Sequence, residues 1–141
     1  MQTRHIYAFT ALQLVGAGVF GWLLVTWPTP WNAERYIGTV LAVAGASLIA
    51  LARYQLGKSF SLRPEAHELV TSGIYAKIRN PIYVFGTVLI TGLILVVQRP
   101  ALWIVLVIVV IGQTVRARRE ARVLEAAFGE AYREYRSRTW F

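Results

Sequence analysis

The sequence has no cysteine, two histidines and one methionine among its 141 residues. Without cysteine there is no disulfide, no thiol nucleophile and no zinc–thiolate site. With only His5 and His67, a histidine-based metal centre is not expected either, so no metal is assigned. Acid is scarce: seven Asp and Glu stand against fifteen Lys and Arg, a net charge of +8. Charged residues of both signs make up only 16% of the chain, whereas 56% is apolar and the mean hydropathy is +0.48. A soluble domain of this length needs more charge than that to cover its surface. No repeat or low-complexity tract is present, and the length suits one domain, 1–141.

What the chain has instead is four runs free of charge, at 6–33, 36–52, 80–98 and 100–115. Crossing about 30 Å of hydrocarbon takes about 20 helical residues. The first and third runs suffice alone; the second and fourth end in Arg53 and Arg116, whose long stems can reach back to an interface. The expected fold is therefore all-α. It is an integral membrane bundle of four transmembrane helices (6–27, 35–54, 81–98 and 100–116) with a cytoplasmic loop at 55–80 and a cytoplasmic C-terminal helical extension at 117–141. Pro28 and Pro30 in WPTPW (27–31) stop the first helix, and tryptophans there suit a membrane interface. Gly38, Ala42, Ala46 and Ala50 put a small residue at every fourth position of the second helix, which would let another helix approach closely. Pro81 is well placed as the first residue of the third helix, and Gly129 as the stop of the last. The apolar N-terminal stretch exceeds the core of a signal peptide and lacks a small-x-small cleavage site, so a retained anchor is expected.

A basic chain ordinarily raises nucleic acid as a partner. With alternating crossings, however, thirteen of the fifteen basic residues fall on one side, leaving Arg35 and Arg99 on the other. That asymmetry orients a multi-pass protein of the cell (inner or plasma) membrane with both termini in the cytoplasm. The charge is topological and can attract anionic headgroups; the expected partners are membrane lipids and no nucleic acid.

Three polar groups of residues converge on the cytoplasmic side: HELVTSGIY (67–75), RNPIY (79–83), and Arg116 with Glu120. Each has an ordinary reading. His67 can be a loop histidine in water, Lys77 and Arg79 can flank a membrane helix, and Arg116 with Glu120 can be a helix-surface pair worth a few tenths of a kcal/mol. Together they describe a basic, aromatic-lined pocket beside the N-terminus of the third helix, whose unpaired N–H groups favour an anion.

HELVTSGIYAKIRNPIYVFG (67–86), followed on the last helix by Arg116 and Glu120 and then by FGEAYREY (128–135), resembles the isoprenylcysteine carboxyl methyltransferase family and its broader relatives, the phospholipid N-methyltransferases. Their pattern reads approximately H-x-L-V-x-x-G-x-Y, then R-H-P-x-Y, then a Glu-Glu pair before F-G-x-x-Y-x-x-Y. This chain matches it with His67, Leu69, Val70, Gly73 and Tyr75, with Arg79, Pro81 and Tyr83, and with Glu120, Phe128, Gly129, Tyr132 and Tyr135. It departs at Asn80, where the pattern has His, and at Ala121, where it has the second Glu. Asn80 keeps hydrogen bonding but cannot act as a base.

The resemblance implies S-adenosyl-L-methionine as cofactor, held by His67, Glu68, Leu69, Val70, Gly73, Tyr75, Arg79, Asn80, Pro81, Ile82, Tyr83 and Glu120. It makes Arg116 the substrate-binding residue, and Arg116, Glu120 and Asn80 the catalytic set. A sulfonium carries its own reactive methyl, so the protein need mainly align reactants and exclude water. The expected activity is methyl transfer to a lipophilic small molecule or prenylated substrate. A carboxylate acceptor needs no deprotonation near neutral pH, which fits a site poor in bases and favours O-methylation of an isoprenylcysteine-like substrate. The alternatives are a phospholipid or amine N-methyltransferase, and a tetraspan binding or scaffold protein without catalysis, which Asn80 and Ala121 would suit.

Overall fold

Prolines and glycines set the boundaries of the helices. The computed structural model describes residues 15–56 and 69–141. Five helices lie within them: α1 (Val15–Thr26), α2 (Ala33–Leu56), α3 (Pro81–Val97), α4 (Leu102–Phe128) and α5 (Glu130–Arg138), with a short 3₁₀ turn at Gly73–Ala76. No strand occurs among the described residues; a single parallel bridge joins Ile78 to Trp140. The all-α expectation holds.

The helix bounds sharpen the expected spans. The first span, expected from residue 6, is described only from Val15. The second is a turn longer than 35–54, and the third ends one residue short of 98. The fourth begins after the turn at 99–101, where Leu102 N–H donates to Arg99 O, and it does not stop at Arg116. Good helix formers carry it without a break to Phe128, about 40 Å in all. Gly129 then ends it: at φ 51° a side chain is disfavoured, and its N–H caps Glu125 O. The expected extension 117–141 is thus the end of α4, then α5, then a short extended tail. By length and composition one described helix, Ala33–Leu56, can cross a membrane; Val15–Thr26 and Pro81–Val97 are apolar but shorter.

The core of the fold is the antiparallel α2–α3 pair. A side-chain carbon on Gly38 would stand 2.7 Å from Gly92 O, one on Gly45 would stand 2.7 Å from Leu89 N, and one on Gly92 would collide with Ala42 N. The buried positions of α2 are Arg35, Gly38, Ala42, Gly45 and Ala52. This corrects the expected stripe: Ala46 is exposed and Gly45 and Ala52 take the interface instead. A strict four-residue step rotates about 40° around the helix each time, whereas alternating steps of three and four keep facing a neighbouring helix.

Arg35 closes one end of this pair. It is 1% exposed, with Nη2 donating to Leu24 O at 2.7 Å and Nη1 to Trp27 O at 3.3 Å and to Thr29 O. Its guanidinium lies 4.5 Å from the ring centre of Trp31. Arg35 thereby satisfies one carbonyl of the last turn of α1, that of Leu24, and two in the turn that follows. The same turn grips α3, with Trp27 Nε1 donating to Val97 O and Thr29 Oγ1 to Val96 O.

Candidate functional site

At the opposite end, residues 69–80 descend from the outside of the bundle to the start of α3. Gln55, in the last turn of α2, receives Ile74 N–H on Oε1 at 2.8 Å. Gly73 has φ 61°, and a side chain there would strike the Gln55 amide, so glycine is required at 73 for the backbone alone. The turn it begins buries Tyr75, whose carbonyl accepts the Tyr135 hydroxyl at 2.8 Å. Tyr132 and Tyr135, three apart and so on one face of α5, are its two buried residues.

The chain beyond α5 returns to the same place. Trp140 N–H donates to Lys77 O at 2.7 Å, Arg79 N–H to Trp140 O at 3.1 Å, and Asn80 N–H to Phe141 O at 3.1 Å. Residues 77–80 are therefore clamped between the 3₁₀ turn and the tail. The structure narrows the anion cradle expected at the N-terminus of α3. Pro81 has no N–H, Asn80 N–H is held by Phe141, and Tyr83 N–H returns to Asn80 O. The Asn80 side chain makes no capping bond and is half-buried.

Burial at this joint suppresses phenol ionisation. Tyr135 is pushed up to about 12 by burial first and then by neighbouring Tyr132, with Arg79 opposing. Tyr75 is raised as well, by burial first, then by Tyr135 and Glu120, against Arg53. Tyr132 is raised chiefly by burial. All three remain neutral hydroxyls near neutral pH, and Tyr75 lies within electrostatic reach of Glu120.

Facing this joint, α3 and α4 exchange polar contacts. The Tyr83 hydroxyl donates to Glu120 Oε1 at 2.7 Å, and Arg116 Nε donates to the same oxygen at 2.9 Å. The Arg116 guanidinium lies 5.9 Å from the centre of the Tyr83 ring. Both donors fall on Oε1, and among the described residues no group donates to Glu120 Oε2. The carboxylate is therefore held in orientation with one oxygen left to accept a cation or hydroxyl. Arg116 and Glu120 side chains are 42% and 24% exposed, and as a surface ion pair they add little stability.

Of the residues expected at the site, Tyr83, Arg116 and Glu120 come into direct contact. Tyr75, Arg79, Asn80, Pro81 and Ile82 are assembled beside them by the tail. Gly73 serves the turn. Leu69 and Val70 are half-buried in the extended stretch before that turn. His67 and Glu68 lie outside the described residues. Two residues at the seam were not anticipated: Thr87 and Gln113, whose side chains meet at 3.0 Å one turn further along α3 and α4. Their signal in the sequence is spacing. Gln113, Arg116 and Glu120 stand at i, i+3 and i+7, one face of a helix. Among the described residues no group of three His, Asp or Glu could hold a metal ion.

A family model described as phospholipid methyltransferase matches residues 33–131, well over half of the chain, from the first residue of α2 into α5. No curated protein and no solved structure gives a match.

Proposed function

From the premise that the chain belongs to the phospholipid methyltransferase family, we propose that it is an integral membrane methyltransferase that uses S-adenosyl-L-methionine on a lipophilic acceptor. One observation carries the reading: Glu120 is fixed by Tyr83 and Arg116 between α3 and α4, and among the described residues its second oxygen takes no donor. In this reading the whole of 1–141 is one membrane domain of four spans, with both termini in the cytoplasm. The exposed apolar residues along α2 and α4, Val40 and Val43 on one and Ile104, Val107, Ile108 and Ile111 on the other, support a lipid surround. The protein lies in the cell membrane among its lipids, without a nucleic-acid partner.

Glu120 Oε2 accepts from the ammonium or ribose hydroxyls of the cofactor, and Tyr75, Leu69 and Val70 contribute apolar surface for its base. His67, Glu68, Gly73, Arg79, Asn80, Pro81 and Ile82 complete the enclosure. The cofactor supplies an electrophilic methyl group; the residues of the chain hold the two reactants in line and keep water out. Arg116 presents a planar fork to an anionic group of the acceptor.

Two acceptor classes suit this arrangement. A carboxylate, as in an isoprenylcysteine-like substrate, needs no base and pairs directly with Arg116. A phospholipid amine is supported by the family description.

The test is thermal unfolding of the detergent-purified protein with S-adenosyl-L-methionine and with its demethylated product. A ligand at a hundred times its Kd that binds only the folded state stabilises by about 2.7 kcal/mol. The shift is expected in the wild type and absent in Glu120→Ala; no shift in the wild type would leave a scaffold without a cofactor site. Transfer of labelled methyl into membrane lipids then separates base-labile esters from base-stable amines.

A further inference from the structure

The polar seam between α3 and α4 continues past the candidate site. Gln113 lies three residues before Arg116, about 4.5 Å nearer the middle of the bundle along the helix axis. Thr87 lies one turn beyond Tyr83 on α3. The Thr87 hydroxyl is 3.0 Å from Gln113 Oε1 and 3.0 Å from Tyr83 O, so its proton faces two acceptors and the Gln113 amide is held by one end. The other end, Nε2, faces Gly86. A side chain at position 86 would touch Gln113 Nε2 at 3.4 Å and nothing else within 4 Å. Among the described residues no group accepts from that Nε2.

Two features distinguish this from a simple bond between helices. Glutamine brings two N–H donors to an apolar region, and an interhelical tie to Thr87 needs only its oxygen. Glycine at 86 lets those donors lie against the α3 backbone, where an added side-chain carbon would meet Nε2 at 3.4 Å. Polarity then stops. Thr91, the next hydroxyl on α3, spends its proton on Thr87 O at 2.8 Å, and residues 102–112 of α4 read LWIVLVIVVIG. Read inward, the seam presents a carboxylate, a guanidinium, an amide donor and then hydrocarbon.

We propose that Gln113, anchored by Thr87 and lying against Gly86, determines acceptor specificity by donating its Nε2 hydrogen bond to the ester carbonyl of a glycerophospholipid. An amphiphile lying in the seam with its head at Glu120 places its phosphate at Arg116, its ester linkage at Gln113 and its chains along the apolar stretch of α4. The inference rests on the phospholipid reading of the site given above. It adds a chemical criterion: the linkage between head and chains must carry a carbonyl. An ether-linked analogue has the same charge and length and lacks that acceptor, leaving a desolvated N–H unmatched.

The experiment compares dihexanoyl phosphatidylethanolamine with its dihexyl ether analogue as ligands, by thermal unfolding of the full chain in detergent without cofactor. The wild type is expected to bind the diester about tenfold more tightly, the worth of one neutral hydrogen bond. Gln113→Met, unbranched and of similar length, is expected to abolish that difference and to leave the ether analogue's affinity and the unliganded melting temperature unchanged. If Gln113→Met does not fold, Thr87→Val, which removes only the anchor, takes its place with the same expectation. Equal binding of both lipids by the wild type, or a diester preference that survives the substitution, overturns the proposal. Because binding is read without methyl transfer, the outcomes separate. A preference that depends on Gln113 in a protein that transfers no methyl group would retain this inference and remove the catalytic one.

Discussion

Arg35 and Arg116 lie toward opposite ends of the bundle, and the chain uses them in opposite ways. Arg35 is buried, directs its terminal nitrogens at three carbonyls of its own chain, and stacks on Trp31. Arg116 is 42% exposed and meets a carboxylate that is itself only partly spent. A cation whose partners are fixed carbonyls within one turn and helix end serves architecture. A cation beside a carboxylate with an oxygen that takes no donor among the described residues retains capacity for a ligand. The same contrast holds for the neutral groups. Trp27 and Thr29 bond to the last carbonyls of α3, whereas Gln113 Nε2 has no acceptor among the described residues.

The comparison breaks most visibly at Arg35. Arg35→Leu removes the shared donor of three carbonyls and leaves those of Leu24 and Thr29 without it, while Trp27 O keeps Thr29 N–H. Each buried unsatisfied acceptor costs about 1–3 kcal/mol, so a loss of several kcal/mol is expected. The measurement is denaturant or thermal unfolding in detergent, alongside cofactor binding in whatever fraction stays folded. A large loss of stability with unchanged affinity per folded molecule confirms the architectural role. A stable protein with impaired binding would erase the distinction between the two ends.

Tyr83→Phe tests the other end with a smaller expected effect. The ring stays against Arg116 while the hydroxyl that orients Glu120 is lost. One hydrogen bond to a charged group is worth about 1.5–3 kcal/mol, so affinity for S-adenosyl-L-methionine is expected to fall by roughly tenfold to a hundredfold. Stability should change little, because both groups are accessible to water. Titration of the cofactor by calorimetry reads the affinity, and a melting temperature lowered as far as that of Arg35→Leu would contradict the assignment.

How far the sequence carried these roles differs between the two ends. The convergence of Tyr83, Arg116 and Glu120 was legible, because Arg116 and Glu120 repeat on one helical face and RNPIY sits where an apolar run begins. The all-helical architecture was legible from the four charge-free runs. Arg35 was not, beyond its side of the charge asymmetry. Its role depends on the turn at 27–32 folding back over the start of α2, and local propensity does not encode that fold-back. The seam of α2 was misread for a related reason: composition shows small residues at 38, 42, 46 and 50, but the direction of the partner helix selects 45 and 52. Docking of the tail on residues 77–80 is a contact across some sixty residues of chain, invisible to any local pattern.

The smallest predicted effect concerns that docking, which joins the site to the rest of the fold without touching a ligand. Tyr135 donates to Tyr75 O, and Tyr135→Phe is expected to cost about 1 kcal/mol. The loss should appear as faster amide exchange at Arg79, Asn80 and Trp140, whose N–H groups hold the tail in place. The bond also fixes a pH dependence. Burial raises the Tyr135 phenol from 10.0 to about 12, so folding favours the protonated form, and its contribution is complete below the unfolded value. Exchange protection should therefore be flat through the neutral range, decline as the pH rises past 10.0, and be lost beyond about 12. In Tyr135→Phe that alkaline decline should shrink, because the phenol that would ionise is gone. An undiminished decline would assign the transition to Tyr75 or Tyr132, and would mean that α5 is held by apolar packing instead of by its hydroxyl.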